Sequence, residues 1–239
     1  MPRLMKKPHP DPHANVALDA ELFRAVDATG VGETLRVWES QQTAVIVGSL
    51  GSISRDIHKD ACLADGVPII RRLSGGGAVV VARGCLNYSL VLSLDARPEL
   101  SHVTQSYQLI LGRIIDALEV PGLSIQGLSD LAIERRKVSG SAQRRGRRAL
   151  LHHGTFLYAF DIHSLERYLK EPERQPAYRA GRRHAAFVAN APLAPQAIAA
   201  ALIRAWVGEP EHPRPECEAA DHLPLVLRSG SQLGEPSPC

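Results

Sequence analysis

RRLSGGGAVVVARGCLNYSLVLS (residues 71–93) sets two arginines against three consecutive glycines. β-branched residues, a lone cysteine and a strongly apolar tail follow. Glycine triplets cost conformational entropy and weaken strands. What they offer is backbone that a ligand can approach with no Cβ in the way, and N–H groups that can converge on an anion. Arg71 and Arg72 add charge and bidentate donors for phosphate or carboxylate. The stretch has neither the GxxxxGK[ST] of a P-loop nor the GxGxxG of a dinucleotide fingerprint. The glycines by themselves read equally as a flexible turn beside two solvated arginines. Beyond them, AVVVA and LNYSLVLSL read as strands joined in a hairpin at Arg83–Gly84. Leu86, Tyr88, Leu90 and Leu92 share one face, opposite Asn87, Ser89 and Ser93.

Upstream, NVALDAELFRAVDA (residues 15–28) reads as a helix with Leu18, Leu22 and Val26 on one face and Gly30 as its stop. TLRVWE and TAVIVG read as a hairpin, ISRDIHKDACLADG as a helix, and VPIIRR as a short buried strand. Downstream, Val103, Tyr107, Ile110, Ile114 and Leu118 form the stripe of a long helix. LSDLAI and KVSGSAQ flank a polar tip, ERR, as a hairpin. ALLHHGTFLYAF is a strand, and APQAIAAALIRAW a helix with its proline near the start. Hairpins separated by helices predict an α+β domain with a largely antiparallel sheet. The boundaries are a flexible arm at residues 1–14, a folded domain at 15–206 and a Pro-rich tail at 207–239.

The 239 residues are 44% hydrophobic and 22% charged, enough for a sizeable core. A net charge of +3 makes no global case for nucleic acid. No apolar run reaches the length of a membrane span. The four cysteines show no CxxC pairing, which argues against a disulfide framework or a zinc site. A cytoplasmic location is expected.

RRKVSGSAQRRGRRALLHHGT (residues 135–155) is the second informative stretch. Lys137 offers a compact charge on a long stem, able to bridge a carboxylate and a phosphate. Ser139, Gly140, Ser141 and Ala142 leave room for a ligand. The bland reading is a solvated basic hairpin, and RRGRR lacks the interleaved aromatics of a nucleic-acid patch. His152 and His153 are adjacent on one strand, so one of them faces inward.

Taken together, RRLSGGGAVV, LNYS, KVSGSAQ and LHHGTFL resemble the lipoate–protein ligase and octanoyltransferase superfamily, relatives of biotin–protein ligases. NVALDAELF, LRVWE and VIVG fit the same pattern. QPAYRAGRRHAAFVAN (residues 175–190) is similar to the QPxYRxxRxHxxF segment of the ligase branch. The resemblance spans residues 15–206. It implies a catalytic domain of the class II synthetase/biotin-ligase type. The implied enzyme activates lipoate or octanoate with ATP and Mg²⁺ to an acyl-adenylate. It then passes the acyl group to a lysine of a lipoyl domain or a glycine-cleavage H-like acceptor. By the same resemblance Lys137 is the catalytic residue. Arg71, Gly75, Gly76, Gly77, Ala78 and Val79 would hold the adenylate with it. Arg72, Asn87, Ser139, Gly140, His153 and Thr155 are further substrate-binding candidates. No metal ligand is assigned.

Two departures bear on this. Many ligases follow the glycines with His-Asp and then Gly-Asn, where this chain has Val81-Ala82 and Gly84-Cys85. The familiar ligase also carries a C-terminal accessory domain, where this chain has a Pro-rich tail. Either the short form suffices or a separate accessory subunit completes it, and no nucleic acid or membrane partner is expected. The alternatives are an octanoyltransferase working through a cysteine thioester, for which Cys85 is the candidate nucleophile, and a non-catalytic acyl or nucleotide sensor. Biotin ligation is a weaker option, because that branch has a differently composed arginine–glycine loop.

Overall fold

The computed structural model describes residues 1–5 and 8–208. Its strands are β1 (Arg3–Met5), β2 (Thr34–Glu39), β3 (Ala44–Val47), β4 (Ile69–Arg71), β5 (Val79–Val81), β6 (Cys85–Ser93), β7 (Ser124–Gln126), β8 (Asp130–Ile133), β9 (Arg136–Arg145) and β10 (Ala149–Leu157). Its helices are α1 (Pro12–Thr29), α2 (Ile53–Asp56), α3 (Lys59–Ala64), α4 (Val103–Leu118), α5 (His163–Tyr168), α6 (His184–Phe187) and α7 (Pro195–Trp206).

Seven strands form one sheet in the order β1-β2-β6-β10-β9-β8-β7, and three form a second in the order β4-β3-β5. Among the described strands, only β1–β2 and β3–β4 pair in parallel. The expected mixed, largely antiparallel α+β architecture is therefore present. One face of the large sheet, with Leu90, Leu92 and Phe156, packs against Ile110 and Ile114 of α4 and Ile198 and Leu202 of α7. On the opposite face, Phe23 and Val26 of α1 meet Val91 and Leu151. The small sheet has its own core, in which Val45, Ile70 and Val80 lie with Phe160 and Phe187.

Several local readings hold. The α4 stripe is buried from Tyr107 to Leu118, although Val103 itself is exposed. The β8–β9 hairpin turns at Glu134 and Arg135, both with positive φ. Helix α7 carries its proline at the first turn.

Other readings are corrected. β2 and β3 are not a hairpin, and neither are β5 and β6. In each pair one strand belongs to the large sheet and the other to the small one. Arg83–Gly84 is a tight turn as expected, with Cys85 N donating to Ala82 O at 3.2 Å, but it passes the chain from the small sheet to the large one instead of closing a hairpin. Gly84 has φ 82°, and its missing Cβ would lie 2.3 Å from the backbone of Ala159. The chain there packs against the exit of β10, with Gly84 O accepting from Tyr158 N. The helix expected from residue 53 breaks at Ile57, which turns extended and bridges to Leu169. Residues 1–14, expected as a free arm, include β1 and the start of α1, where the Asp11 side chain accepts from His13 N. The buried face of α1 is Asn15, Asp19, Phe23 and Val26 rather than Leu18, Leu22 and Val26. The Pro-rich tail from residue 209 lies outside the described residues. No described helix is long and apolar enough to cross a membrane.

Candidate active site

A cavity of about 370 Å³ opens on the α1 face of the large sheet. That is a size fit for a small organic ligand. Its wall draws on α1, the small sheet, the glycine loop, β6, β9, β10 and the segment 170–188.

The glycine loop is shaped from below by Arg72. This side chain is 7% exposed. Its Nη2 donates to the carbonyls of Gly75 and Gly77 at 2.8 and 2.9 Å, and its Nε to Ser74 Oγ at 2.9 Å. These acceptors are all neutral, and burial pushes the guanidinium down to about 10. A buried cation held only by neutral oxygens gains from an anion brought beside it. Gly76 has φ 88°, and Gly75 and Gly77 have open space where a Cβ would stand. A Cβ on Gly48 would lie 2.0 Å from Gly76 O, so the β3–α2 loop and the glycine loop touch backbone to backbone.

Of the anticipated loop residues, Arg72, Gly76, Gly77, Ala78 and Val79 line the cavity. Arg71 and Gly75 do not. Arg71 is exposed, and its Nη1 donates to the carbonyls of Gly48, Ser49 and Gly51 at 2.8, 3.2 and 3.0 Å. It braces the neighbouring loop.

The remaining candidates converge from the large sheet. Asn87 and Thr155 pair across β6–β10, and Thr155 and Gly140 across β10–β9, so the three share the cavity face. Lys137 reaches that face through a bulge. Ser139 pairs with Leu131 while Lys137 pairs with Ala132, which leaves Val138 as the extra residue. A bulge re-aims the side chain beyond it. Lys137 Nζ then lies 2.7 Å from Asp130 Oδ1. Ser139 is 2% exposed and lines the cavity, as does Trp38. Neither Ser139 Oγ nor Trp38 Nε1 has a hydrogen-bond partner among the described residues. Buried polar atoms left unpaired are costly, and a polar ligand would satisfy them.

His153 also lines the cavity, and it joins a chain of buried polar groups. Its Nε2 lies 2.6 Å from Ser74 Oγ and its Nδ1 3.6 Å from Asp19 Oδ2. Asp19 in turn pairs with Arg36 and accepts from Ser89 Oγ at 2.5 Å. Burial alone would raise the Asp19 carboxyl. The neighbouring His153 ring, the Arg36 charge and the Ser89 hydroxyl together hold it below its ordinary range. His152 faces the other way, wholly buried between Gln143 and the Tyr88 hydroxyl.

Asp19, Arg36, Ser74, Trp38, Asp130 and Tyr178 were not anticipated. A signal existed for Asp19. Asn15 and Asp19 stand four residues apart on the helix side that also carries Phe23, and Arg36 sits mid-strand among apolar neighbours.

Cys85 and Cys62 are the cysteines among the described residues. Both are fully buried, and neither lines the cavity. Burial pushes the Cys85 thiol up to about 12 and also raises that of Cys62. Val81 stands in the cavity wall.

A family model described as the lipoyl protein ligase A/B catalytic domain matches residues 11–192. A putative lipoate-protein ligase A of Aeropyrum pernix is 31% identical over 166 residues, covering 69% of this chain and 60% of that protein. An octanoyltransferase LipM of an Exiguobacterium species is 28% identical over 184 residues, covering 66% of each. The chain thus spans less than two thirds of these relatives' length. Among solved structures, the bipartite lipoate protein ligase of Thermoplasma acidophilum, studied with its E2 lipoyl domain, has a TM-score of 0.71 at 24% identity, covering 85% of this chain and 81% of that one. A lipoate-protein ligase A bound with ATP has a TM-score of 0.69 at 24% identity, covering 85% and 83%. These two likenesses establish the fold.

Proposed function

The chain belongs to the lipoyl protein ligase A/B catalytic-domain family, and from that premise we propose that it is a lipoate–protein ligase. In this reading it joins lipoate or octanoate to AMP at the expense of ATP. It then transfers the acyl group to a lysine of a lipoyl domain or an H-protein-like acceptor. The carrying observation is the placement of Lys137 in the cavity that the Arg72-held glycine loop also lines.

In the first step a carboxylate oxygen attacks the α-phosphorus of ATP, and the bond to pyrophosphate breaks. Two anions meet, so the protein's task is neutralisation and alignment. Arg72 supplies buried positive charge, Lys137 a mobile one, and the glycines a wall with no side chain in the way. In the second step the neutral acceptor amine attacks the acyl carbon, the acyl–phosphate bond breaks and AMP leaves. The amine's proton passes to the departing phosphate or solvent, and Lys137 remains beside that phosphate. The unpartnered Ser139 Oγ and Trp38 Nε1 fit a ligand that brings polar atoms. Among the described residues no group of three His, Cys, Asp or Glu side chains could cage a metal. Magnesium would come with the nucleotide's phosphates, as is usual for this ion, and would supply charge neutralisation there.

The octanoyltransferase reading requires a thiol at the cavity. Among the described residues none lines it, which favours the ligase. Intact-mass spectrometry of a purified lipoyl domain separates the readings. The expected result is a lipoyl adduct that needs this protein, lipoate and MgATP together. Acyl transfer from octanoyl carrier protein without ATP would install the transferase. Tight acyl-adenylate binding with no transfer to several acceptors would install the sensor.

A further inference from the structure

We infer that Tyr178 is a positioning residue for Lys137, acting through the Asp130 carboxylate; this deepens the ligase reading and rests on it. Asp130 is 7% exposed, and both of its oxygens are engaged. Oδ1 holds Lys137 Nζ at 2.7 Å, and Oδ2 accepts from the Tyr178 hydroxyl at 2.8 Å. The three groups come from three elements: β8, β9 and the segment after α5.

That segment grips the lysine twice. Its far end takes the main chain, where Lys137 O accepts from Ala189 N at 2.9 Å. Its near end reaches the side chain through Tyr178 and Asp130. Tyr178 is itself fixed. Its ring lies 5.1 Å from that of Phe187, and Arg182 donates both to Tyr178 O and to Arg135 O on the β8–β9 turn. Burial first, and the Asp130 charge second, raise the phenol well above its ordinary value, so the hydroxyl remains a donor.

The physical consequence concerns how firmly the ammonium is parked. A carboxylate that shares its charge with a hydroxyl holds a cation less tightly than one with the cation alone. Lys137 must share or leave Asp130 to meet charge developing on an acyl-phosphate. With the Tyr178 hydroxyl in place, Asp130 orients the ammonium toward the cavity and still releases it. Without it, the second oxygen is free to take the ammonium as well, and the lysine is withheld.

The test is a cycle of four proteins: wild type, Tyr178→Phe, Lys137→Ala and the double variant. Calorimetry measures the affinity of each for lipoyl-sulfamoyl adenosine, a non-hydrolysable acyl-adenylate. Tyr178→Phe should weaken binding about tenfold in the wild-type background and not at all when Lys137 is absent. Equal weakening in both backgrounds, or no weakening in either, overturns the inference. A ligand-free measurement accompanies it: the rate of trace acylation of Lys137 at one fixed pH, read by peptide mass spectrometry. Tyr178→Phe should slow it severalfold, because both Asp130 oxygens are then free to hold the amine and withhold it from the reagent. An unchanged rate overturns the link. A slowed rate in a protein whose wild type fails to bind the analogue leaves the link standing and removes the ligase reading instead.

Discussion

A Cβ on Gly140 would lie 2.5 Å from Lys137 Nζ and 2.6 Å from its Cε. The lysine head occupies the volume that any other residue at 140 would fill, so the glycine of KVSG is part of the lysine's placement. The atoms displaced by a methyl are the free end of a flexible chain. Gly140→Ala should therefore cost less than about 1 kcal/mol of stability, yet move the ammonium off its position and reduce acyl-adenylate formation about 10²-fold. Pyrophosphate exchange alongside a melting curve checks this. Wild-type exchange would show that the lysine works from elsewhere.

Removing the charge itself should be more severe. Lys137→Ala is expected to lower adenylate formation by about 10²–10³-fold with little change in melting, since the side chain is 30% exposed. Lys137→Arg should rescue poorly, because a planar fork cannot occupy the pocket left by Gly140 as a point charge does. Near-normal lipoylation by Lys137→Ala would remove the centre of the mechanism, and full rescue by Lys137→Arg would show that any cation there suffices.

The glycine loop allows a sharper contrast. Gly77 has open space at its Cβ position, lines the cavity and does not have a positive φ. Gly77→Ala should leave the melting temperature unchanged and weaken acyl-adenylate binding about tenfold. Gly76 has φ 88°, and its Cβ would meet Arg72 Nη2 at 3.0 Å. Gly76→Val should lower both, with roughly 1–2 kcal/mol lost to the left-handed backbone. Equal stability losses at the two positions would favour the plain turn reading.

Cys85 offers a clean negative. Its thiol is wholly buried and pushed up to about 12, which leaves almost no thiolate at neutral pH. Cys85→Ala should retain ATP-dependent lipoylation within severalfold of wild type. A hydroxylamine-labile octanoyl adduct on Cys85, formed without ATP, would contradict this.

His152 should give stability a definite pH dependence. Burial first, and the neighbouring His153 second, push it down to about 3 from 6.5. Between those values the unfolded chain carries the extra proton, so stability falls as pH drops from about 6.5 toward 3. His152→Gln removes that dependence. Urea titrations across this range should give a shallower acid slope for the variant, and matching slopes would speak against a neutral buried imidazole.

Much of this protein was legible in short windows. The stripe of α4 repeats with the helical period, the β8–β9 hairpin carries its polar tip, and the glycine and lysine motifs are contiguous. The candidate site was legible as a set of motifs for the same reason, since Gly76, Lys137, Asn87 and Thr155 each sit within a recognisable stretch. Strand alternation showed that one of His152 and His153 must face inward, whereas Arg71 and Arg72 read alike as anion donors. It could not say which side of the sheet would become the cavity. Tertiary structure made that choice, by packing α4 and α7 on one face and α1 with the small sheet on the other. The same packing turned Arg72 inward and left Arg71 to brace a loop. It sent β2 and β3, and β5 and β6, into different sheets although each pair is joined by a few residues. Pairing between strands depends on which faces can be buried together, and no local pattern encodes that. Asp19 shows the limit most plainly. In the sequence it is one acid on a helix. It becomes a buried anion only because Arg36, Ser89 and His153, from three different strands, are brought to it.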